Sequence, residues 1–297
     1  MPDVVVTTRS ATPARTSGAA LTRLSSRHVL TGLLLLVALL WLLPAVWVLV
    51  TSLKPTKDIV RVPPEWIPYP ATLVHYNEVF WSARTASIGR AFLNSTAVAL
   101  ATVVGLVVVS ALAAYPLARM RFPGKNVVFG VFVGSLMVPG IIGLIPLYLL
   151  MQRLGWLSTY QALVLPELAT PFGVFLLRQF FLSLPGELED AARIDGANTW
   201  QVFWRILMPL SQPALAALSI FSFRIAWNDF TWPLIAMNKQ EMFTLPVALS
   251  LLRGAYTSES YGPIMAGAVV SALPLLIVFL VANRHIVEGV QLSGLKG

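Results

Sequence analysis

The sequence predicts an all-α integral membrane protein with six transmembrane helices. Of its 297 residues, 57% are hydrophobic and only 11% are charged, whereas soluble domains carry about 25% charged residues. Six mostly apolar segments are each long enough to cross a bilayer, which takes about 20 residues. Several contain prolines, which membrane helices tolerate where neighbouring groups satisfy the freed carbonyls. The predicted spans cover residues 29–53, 91–118, 126–152, 161–181, 206–236 and 263–286.

The first span follows a polar tail over residues 1–28, which we predict to be disordered and cytoplasmic. A cleaved signal peptide has a shorter apolar core that ends at a small-residue cleavage site. The segment 29–53 is longer and lacks such a site, so it is interpreted as a span that the mature protein retains. The tail contains four arginines, at Arg9, Arg15, Arg23 and Arg27.

The distribution of basic residues predicts the orientation in the membrane. Cytoplasmic loops are enriched in Lys and Arg, and this enrichment is strongest in the short loop that holds Arg119, Arg121 and Lys125. We therefore predict a multi-pass protein of the cell (inner, cytoplasmic) membrane with both termini cytoplasmic. The net charge of +8 fits this asymmetry. Nucleic-acid binding is not expected, because aromatic and basic residues do not interleave on a polar face.

The middle spans are less regular than the second. The third span contains Gly130 and Gly134, a spacing that permits close packing of a neighbouring helix. The fourth and fifth spans are interrupted by charged residues, Glu167 and Arg224. These two spans are therefore the least well defined.

The most charged stretch, residues 188–210, reads LEDAARIDGANTWQVFWRILMPL. Acidic residues at its start favour the positive end of a helix dipole. Gly196 is expected to end this first helix, and Asn198 or Thr199 can cap a second one. The second helix has an apolar face formed by Trp200, Phe203, Trp204 and Leu207.

Two interpretations of this stretch are equally open from the residue pattern. One is a folded loop whose charges are simply solvated. The other is a docking element, in which the small Ala191 and Ala192 let a partner approach the backbone closely. The flanking charges would then give orientation and register.

The same stretch resembles the EAA loop of ABC-importer permeases, which has the pattern E-A-A, then D-G-A, then a spaced hydrophobic segment. Four other segments resemble the maltose-type, carbohydrate branch of that family: FLNSTAVAL, RFPGKN, WNDFTWPL and the final 27 residues. Asp190 stands where the family has its leading Glu, which keeps the carboxylate on a shorter side chain. The residues that match the loop pattern are Asp190, Ala191, Ala192, Asp195, Gly196, Ala197, Phe203, Ile206 and Pro209.

The resemblance implies that the chain is half of the translocation path of an ATP-driven, binding-protein-dependent sugar importer. Its expected partners are two copies of an ABC ATPase subunit, a second homologous permease, an extracytoplasmic sugar-binding protein and membrane lipid. The cytoplasmic EAA loop, residues 183–205, is expected between the fourth and fifth spans, where its helix fits a cleft in the ATPase. The expected coupling residues are Glu189, Asp190, Ala191, Ala192, Asp195, Gly196 and Ala197.

The sequence carries no recognisable catalytic site. A phosphate-binding loop needs G-x-x-x-x-G-K-[ST], but Gly124-Lys125 is followed by Asn126 and lacks the earlier glycine. The three histidines are scattered, which argues against a metal site. The chain is thus predicted to be non-catalytic and to bind no cofactor, with ATP hydrolysis in a separate subunit. The alternatives are import of a polyol or glycerol-phosphate by the same machinery, an ion-driven secondary transporter, or a membrane enzyme.

Polar residues inside the predicted spans are candidates for the translocation path, because intramembrane polar groups usually face a cavity or a partner. A sugar offers hydroxyls and apolar faces to such groups. Each residue also has a structural interpretation, in which it satisfies a neighbouring helix or lies at the membrane surface. Both interpretations stay open for Asn94, Glu167, Arg224, Trp227, Asn228 and Asp229.

Overall fold

The computed structural model describes residues 18–81, 87–255 and 261–294, and all regular secondary structure in these ranges is helical. The predicted all-α class is therefore confirmed. Short 3₁₀ turns at Gly140–Gly143, Leu165–Leu168 and Gln240–Met242 and a π turn at Phe203–Leu207 connect the helices. The α-helices are α1 (Gly18–Ser52), α2 (Thr56–Ile59), α3 (Val74–Trp81), α4 (Ile88–Arg119), α5 (Lys125–Ser135), α6 (Leu144–Arg153), α7 (Tyr160–Val164), α8 (Pro171–Ser183), α9 (Glu187–Ile194), α10 (Thr199–Val202), α11 (Met208–Leu210), α12 (Gln212–Asn228), α13 (Thr231–Ala236), α14 (Leu245–Ala255) and α15 (Gly262–Gly294).

The chain divides into two compact units, residues 1–47 and residues 48–297. In the first unit the described residues belong to α1. This helix begins at Gly18, eleven residues before the predicted span, because the segment after Gly18 contains Ala, Leu and Arg, which favour helix. Residues 1–17 of the predicted tail lie outside the described residues.

Within the described residues, three helices are long and apolar enough to cross a membrane. They are residues 28–52 of α1, the whole of α4, and residues 262–281 of α15. They coincide with the first, second and sixth predicted spans. The predicted third, fourth and fifth spans were each expected as one helix, and the structure instead breaks each of them.

The breaks coincide with prolines, which remove a helical N–H and disfavour helix in the residue before them. The bend between α5 and the segment 140–153 is 93°, and Pro139 precedes that segment. The bend between residues 160–168 and α8 is 41°, and α8 starts at Pro171. The bend between residues 199–210 and α12 is 75°, and α12 carries Pro213 in its first turn.

Helix α4 is central to the second unit, where it packs along α8 and α12. Small residues permit the contact with α8: a Cβ atom added to Gly173 would meet Ser110 of α4. Gly130 and Gly134 behave differently, because a Cβ atom at either position would meet nothing within 4 Å. The close packing predicted for these two glycines is thus not made by the described part of the chain.

Candidate functional site

The charged stretch folds into a short helix that ends in a glycine turn. Gly196 has a φ of +85°, a left-handed conformation that suits glycine. Its N–H donates to the carbonyl of Arg193 at 3.1 Å, and the N–H of Ala197 donates to the carbonyl of Ala192 at 2.9 Å. This pair of bonds is the Schellman motif. The predicted helix and glycine turn are confirmed, and the first turn of α9 carries Glu187, Glu189 and Asp190.

The next helical segment begins at Asn198 with a capping box. The Asn198 side chain accepts a bond from the N–H of Gln201 at 2.9 Å, and the Gln201 side chain accepts one from the N–H of Asn198 at 2.9 Å. This reciprocal pair satisfies N–H groups that a helix start leaves free. The apolar face beyond it is only partly covered, since Phe203 is buried while Trp200, with its ring centroid 5.9 Å away, is exposed.

The outward surface of α9 combines acidic, small and apolar side chains. Asp190 and Ala191 are exposed, and Ile194 is 86% exposed. Asp195 and Gly196 are also exposed, whereas Ala192 and Ala197 are partly buried. Four of the seven residues expected to couple to an ATPase are therefore accessible to a partner: Asp190, Ala191, Asp195 and Gly196.

Glu189 points the other way and joins α9 to the end of α4. Its carboxylate Oε1 lies 2.8 Å from Nε of Arg119, and the two side chains are only 8% and 16% exposed. Arg119 also donates from Nη2 to the carbonyl of Leu184 at 2.7 Å. One guanidinium thus holds both α9 and the segment that leads into it. We call this arrangement the Arg119 clamp.

The end of α4 that carries Arg119 is itself stabilised by two further cations. Arg178 of α8 donates to the carbonyl of Leu117 at 3.0 Å, and Lys125 donates to the carbonyl of Ala118 at 3.1 Å. The last carbonyls of a helix lack partners within the helix and carry partial negative charge, so cations there are favourable. The Arg119 clamp is therefore built on a well-anchored helix end.

A charged cleft of about 490 Å³ opens beside the Arg119 clamp. Its walls come from the α4–α5 loop and from α9, so it lies next to the outward surface of α9. The described residues that line it are Arg119, Met120, Arg121, Gly186, Glu189, Asp190, Arg193 and Thr199.

Two of the six residues proposed for the translocation path make structural contacts. Asn94 is buried, and its amide donates to the carbonyls of Glu241 and Phe243 at 2.8 and 3.0 Å. Its side-chain oxygen accepts a bond from the hydroxyl of Tyr160 at 2.7 Å. These bonds tie α4 to the segment before α14 and to α7, which favours the structural interpretation of Asn94.

Trp227 is also part of the core. Its indole N–H donates to the carbonyl of Ser271 at 3.1 Å, which joins α12 to α15. Its ring stacks with Phe223 at 5.7 Å and meets the edge of Phe92 at 5.6 Å. Only 1% of the residue is exposed, so Trp227 holds three helices together.

The four remaining path residues fall into two pairs. Glu167 and Asp229 line one cavity of about 380 Å³. Arg224 and Asn228 lie one turn apart on α12 and are exposed, and the amide of Asn228 donates to the Arg224 carbonyl at 2.9 Å. Two acids do not make a metal site, and within the ranges that the structure describes no group of three or more His, Asp or Glu side chains is placed to hold a metal ion.

Sequence reasoning missed Arg119, which it read only as a basic loop residue, and the buried Thr102 and Thr244, which share the cavity of Glu167. The position of Arg119 at the end of an apolar helix was a usable signal, because cations favour that end. Its bond partner Leu184 lies 65 positions away, and a distance of that kind cannot be read from local spacing.

The Schellman turn predicts different outcomes for two substitutions of Gly196. Gly196→Val should destabilise the turn by about 1–2 kcal/mol, because a left-handed backbone disfavours side chains with a Cβ branch. Gly196→Asn should be nearly neutral, since Asn tolerates this conformation and no atom lies within 4 Å of an added Cβ. Hydrogen–deuterium exchange of the Gly196 and Ala197 amides measures the effect. Equal protection in the two variants would show that backbone conformation does not control the turn.

Residues 106–291 match the family model described as binding-protein-dependent transport system inner membrane component. The chain is 34% identical over 271 residues to the arabinooligosaccharides transport system permease protein AraQ of Bacillus subtilis, covering 91% of this chain and 96% of the relative. It is 35% identical over 259 residues to the trehalose transport system permease protein SugB of Mycobacterium tuberculosis, covering 86% of this chain and 93% of the relative.

A solved structure with a similar fold is a bacterial ABC transporter that imports the acidic polysaccharide alginate. The match has a TM-score of 0.76 at 24% sequence identity and covers 93% of this chain and all of the matched chain. At this level of identity the likeness describes the fold.

Proposed function

The chain belongs to the family of binding-protein-dependent transport system inner membrane components, in its maltose-type carbohydrate branch, and on this premise we propose that it forms half of the translocation path of an ATP-driven sugar importer. In this role it spans the cytoplasmic membrane and receives a saccharide from an extracytoplasmic binding protein. Its movement is driven by ATP hydrolysis in another subunit.

In this proposal the six spans are α1, α4, the pair α5 and α6, the pair α7 and α8, the pair formed by residues 199–210 and α12, and α15. Counting each bent pair as one span is consistent with their length and apolar composition. Both termini and α9 then lie on the cytoplasmic side, and α9 is the EAA coupling helix between the fourth and fifth spans. Basic residues near Arg119 and Lys125 support this orientation.

The observation that carries the proposal is the two-sided construction of α9. Its outward surface leaves Asp190 and Ala191 accessible, while Glu189 is held inward by the Arg119 clamp. A solvated loop has no need of a buried ion pair to a membrane helix, whereas a coupling element must transmit force to one. We therefore assign docking to the outward surface and force transmission to Glu189.

The proposed assembly contains two ATPase subunits, a second homologous permease and an extracytoplasmic sugar-binding protein, surrounded by lipid. The relatives named above are permeases of transport systems, which supports a subunit role. This chain is proposed to bind no cofactor and to hydrolyse nothing itself. It is not expected to bind nucleic acid.

A glycerol-phosphate or polyol importer would use the same machinery, and it remains the nearest alternative within this function. An ion-driven secondary transporter is the alternative outside it. The secondary transporter needs no ATPase, so the two classes differ in what the purified chain retains.

Purification of the tagged chain in mild detergent tests the proposal. We expect wild type to retain an ATPase subunit and a second permease. Ala191→Arg should lose at least nine-tenths of the ATPase, because the exposed Ala191 lies on the proposed docking surface. Ala71→Arg is the matched control: it adds the same side chain at an exposed position between α2 and α3, and it should retain the ATPase.

Two results would contradict the proposal. One is wild-type chain that purifies alone and moves substrate into vesicles with only an ion gradient. The other is full retention of the ATPase by Ala191→Arg in a complex that still transports sugar.

A further inference from the structure

The cavity that contains Glu167 and Asp229 lies within this one chain, where interrupted helices meet. One wall is the middle of α4, and another is the turn Gly140–Gly143 between α5 and α6. Glu167 comes from the 3₁₀ turn that ends α7, and Asp229 from the break between α12 and α13. Broken helices inside membrane proteins are tolerated where they line a cavity, and they form binding positions in transporters. The volume of about 380 Å³ falls within the range of ligand pockets, roughly 300–1,000 Å³.

Two hydroxyl groups at this cavity lack hydrogen-bond partners. Thr102 and Thr244 line it and are 1% and 3% exposed, and neither Oγ1 atom has a partner in the described structure. A buried hydroxyl without a partner is costly, and native structures rarely keep one without a reason. Each Oγ1 atom is itself closed to solvent, so a hydroxyl of a ligand would pair with it once the threonine side chain rotates toward the cavity.

The ionisable side chains of the cavity are both acidic. Of the described residues that line it, the charged ones are Glu167 and Asp229. One oxygen of Asp229 lies 3.4 Å from the N–H of Trp232, and the carboxylate also faces the N–H of Thr231, so Asp229 caps the start of α13 while it lines the cavity. Carboxylates accept hydrogen bonds from hydroxyl groups, and in a medium of low dielectric constant they strongly repel an anion.

We infer that this cavity binds an uncharged, hydroxyl-rich unit, such as one neutral sugar ring, and excludes sugars that carry a carboxylate or phosphate. Glu167 and Asp229 accept bonds from its hydroxyls, and Thr102 and Thr244 complete the polar contacts. The apolar walls, which include Trp232, face the ring. The inference rests on the proposed function and deepens it, because it separates neutral saccharides from glycerol-phosphate.

Saturation-transfer NMR on the purified complex without its binding protein tests this inference. The probes are glucose and glucuronate, which share one ring and differ by a carboxylate. We expect wild type to saturate glucose at least tenfold more than glucuronate. The double variant Glu167→Gln/Asp229→Asn should lower the glucose signal about tenfold and remove the discrimination. The single variant Thr102→Val should lower the glucose signal and leave the glucuronate signal unchanged.

Glu65→Gln is the matched control, because Glu65 pairs with Arg61 at 2.7 Å outside the cavity, and it should behave as wild type. The inference is overturned if wild type binds the two probes equally, binds no glucose, or keeps its preference in the double variant. It is also overturned if glucose binds only when Na⁺ is present, which would make the cavity a cation site. ATPase retention is measured on the same samples: loss of the ATPase from wild type rejects the proposed function, whereas a complete complex without discrimination rejects only this inference.

Discussion

Arg119→Ala is expected to reduce sugar uptake at least tenfold in a complex that still inserts into the membrane. The substitution leaves the carboxylate of Glu189, which is 8% exposed, without its cation. Removing one partner of a buried ion pair costs about 3–5 kcal/mol. The substitution also removes the bond to the Leu184 carbonyl. Helix α9 should then lose its fixed position at the end of α4, so ATP hydrolysis continues while transport fails.

Two further variants distinguish the effect of breaking the ion pair from the effect of removing a positive charge. Arg121→Ala removes a cation from the same loop, where Arg121 is exposed, and it should transport normally. Arg119→Lys should give an uptake between those of wild type and Arg119→Ala, since one ammonium cannot make both the ion pair with Glu189 and the bond to the Leu184 carbonyl in the geometry of a guanidinium. Sugar uptake and ATP hydrolysis are measured on the same reconstituted complexes. Wild-type uptake per ATP by Arg119→Ala would reject the role of the Arg119 clamp.

The double variant Arg119→Met/Glu189→Leu makes the test sharper. Replacing both members of a buried ion pair by apolar residues is often neutral. We therefore expect the double variant to recover a large part of the uptake that either single variant loses. This non-additivity is the sign of a direct interaction, and additive losses would mean that the two residues act independently.

The local structure of the coupling loop could be predicted from its sequence because its signals are short-range. The Schellman bonds join residues at most five positions apart, and the capping box of Asn198 and Gln201 joins residues three apart. The glycine, the acids before it and the amide after it therefore indicate helix, turn and helix without knowledge of the fold. The seven residues proposed to couple to an ATPase could be placed on this framework, but the inward direction of Glu189 could not.

Long-range pairing explains what the sequence could not reveal. Asn94 and Trp227 were candidates for the path, with a structural interpretation equally available, because both are polar or aromatic residues inside predicted spans. Their partners Tyr160 and Ser271 lie 66 and 44 positions away, and only the fold shows that these bonds are structural. The broken spans are a related case: prolines indicated where helices are weak, but local sequence does not give the angle of each bend.

The glycines in the spans also show that a local motif does not determine which surfaces pack together. Gly130 and Gly134 have the spacing of a helix-packing motif, yet no atom of the described chain lies near an added Cβ. Gly173 has no such spacing, yet it lies directly against Ser110 of α4. A motif identifies a surface that can pack closely, and the fold decides which surface is used within the chain. The open face of α5 is thus accessible to lipid or to another subunit.

Gly173→Ala is expected to lower the stability of the packed helices by about 1–3 kcal/mol, the usual cost of an extra methyl group in a filled core. The added Cβ would meet Ser110 Oγ in direct overlap, with Ser110 Cβ at 3.1 Å and Leu106 Cδ2 at 3.3 Å. Gly105→Ala is a useful contrast, since its Cβ meets the end of the flexible Leu168 side chain at 2.6 Å and can displace it. Thermal unfolding of the purified chain in detergent, followed by tryptophan fluorescence, measures each change.

Ser110→Ala should rescue Gly173→Ala, because it removes the overlapping oxygen. On its own Ser110→Ala should be neutral or slightly stabilising, since Ser110 Oγ is buried and has no hydrogen-bond partner in the described structure. Gly130→Ala, which meets open space, should leave the unfolding midpoint unchanged. If Gly173→Ala unfolds at the wild-type temperature, or if Ser110→Ala fails to restore that temperature, α4 and α8 are not held at the distance that this contact requires.

The close approach of α4 and α8 matters beyond stability, because α4 ends at Arg119 and α8 leads into α9. A change in their spacing would move both sides of the Arg119 clamp.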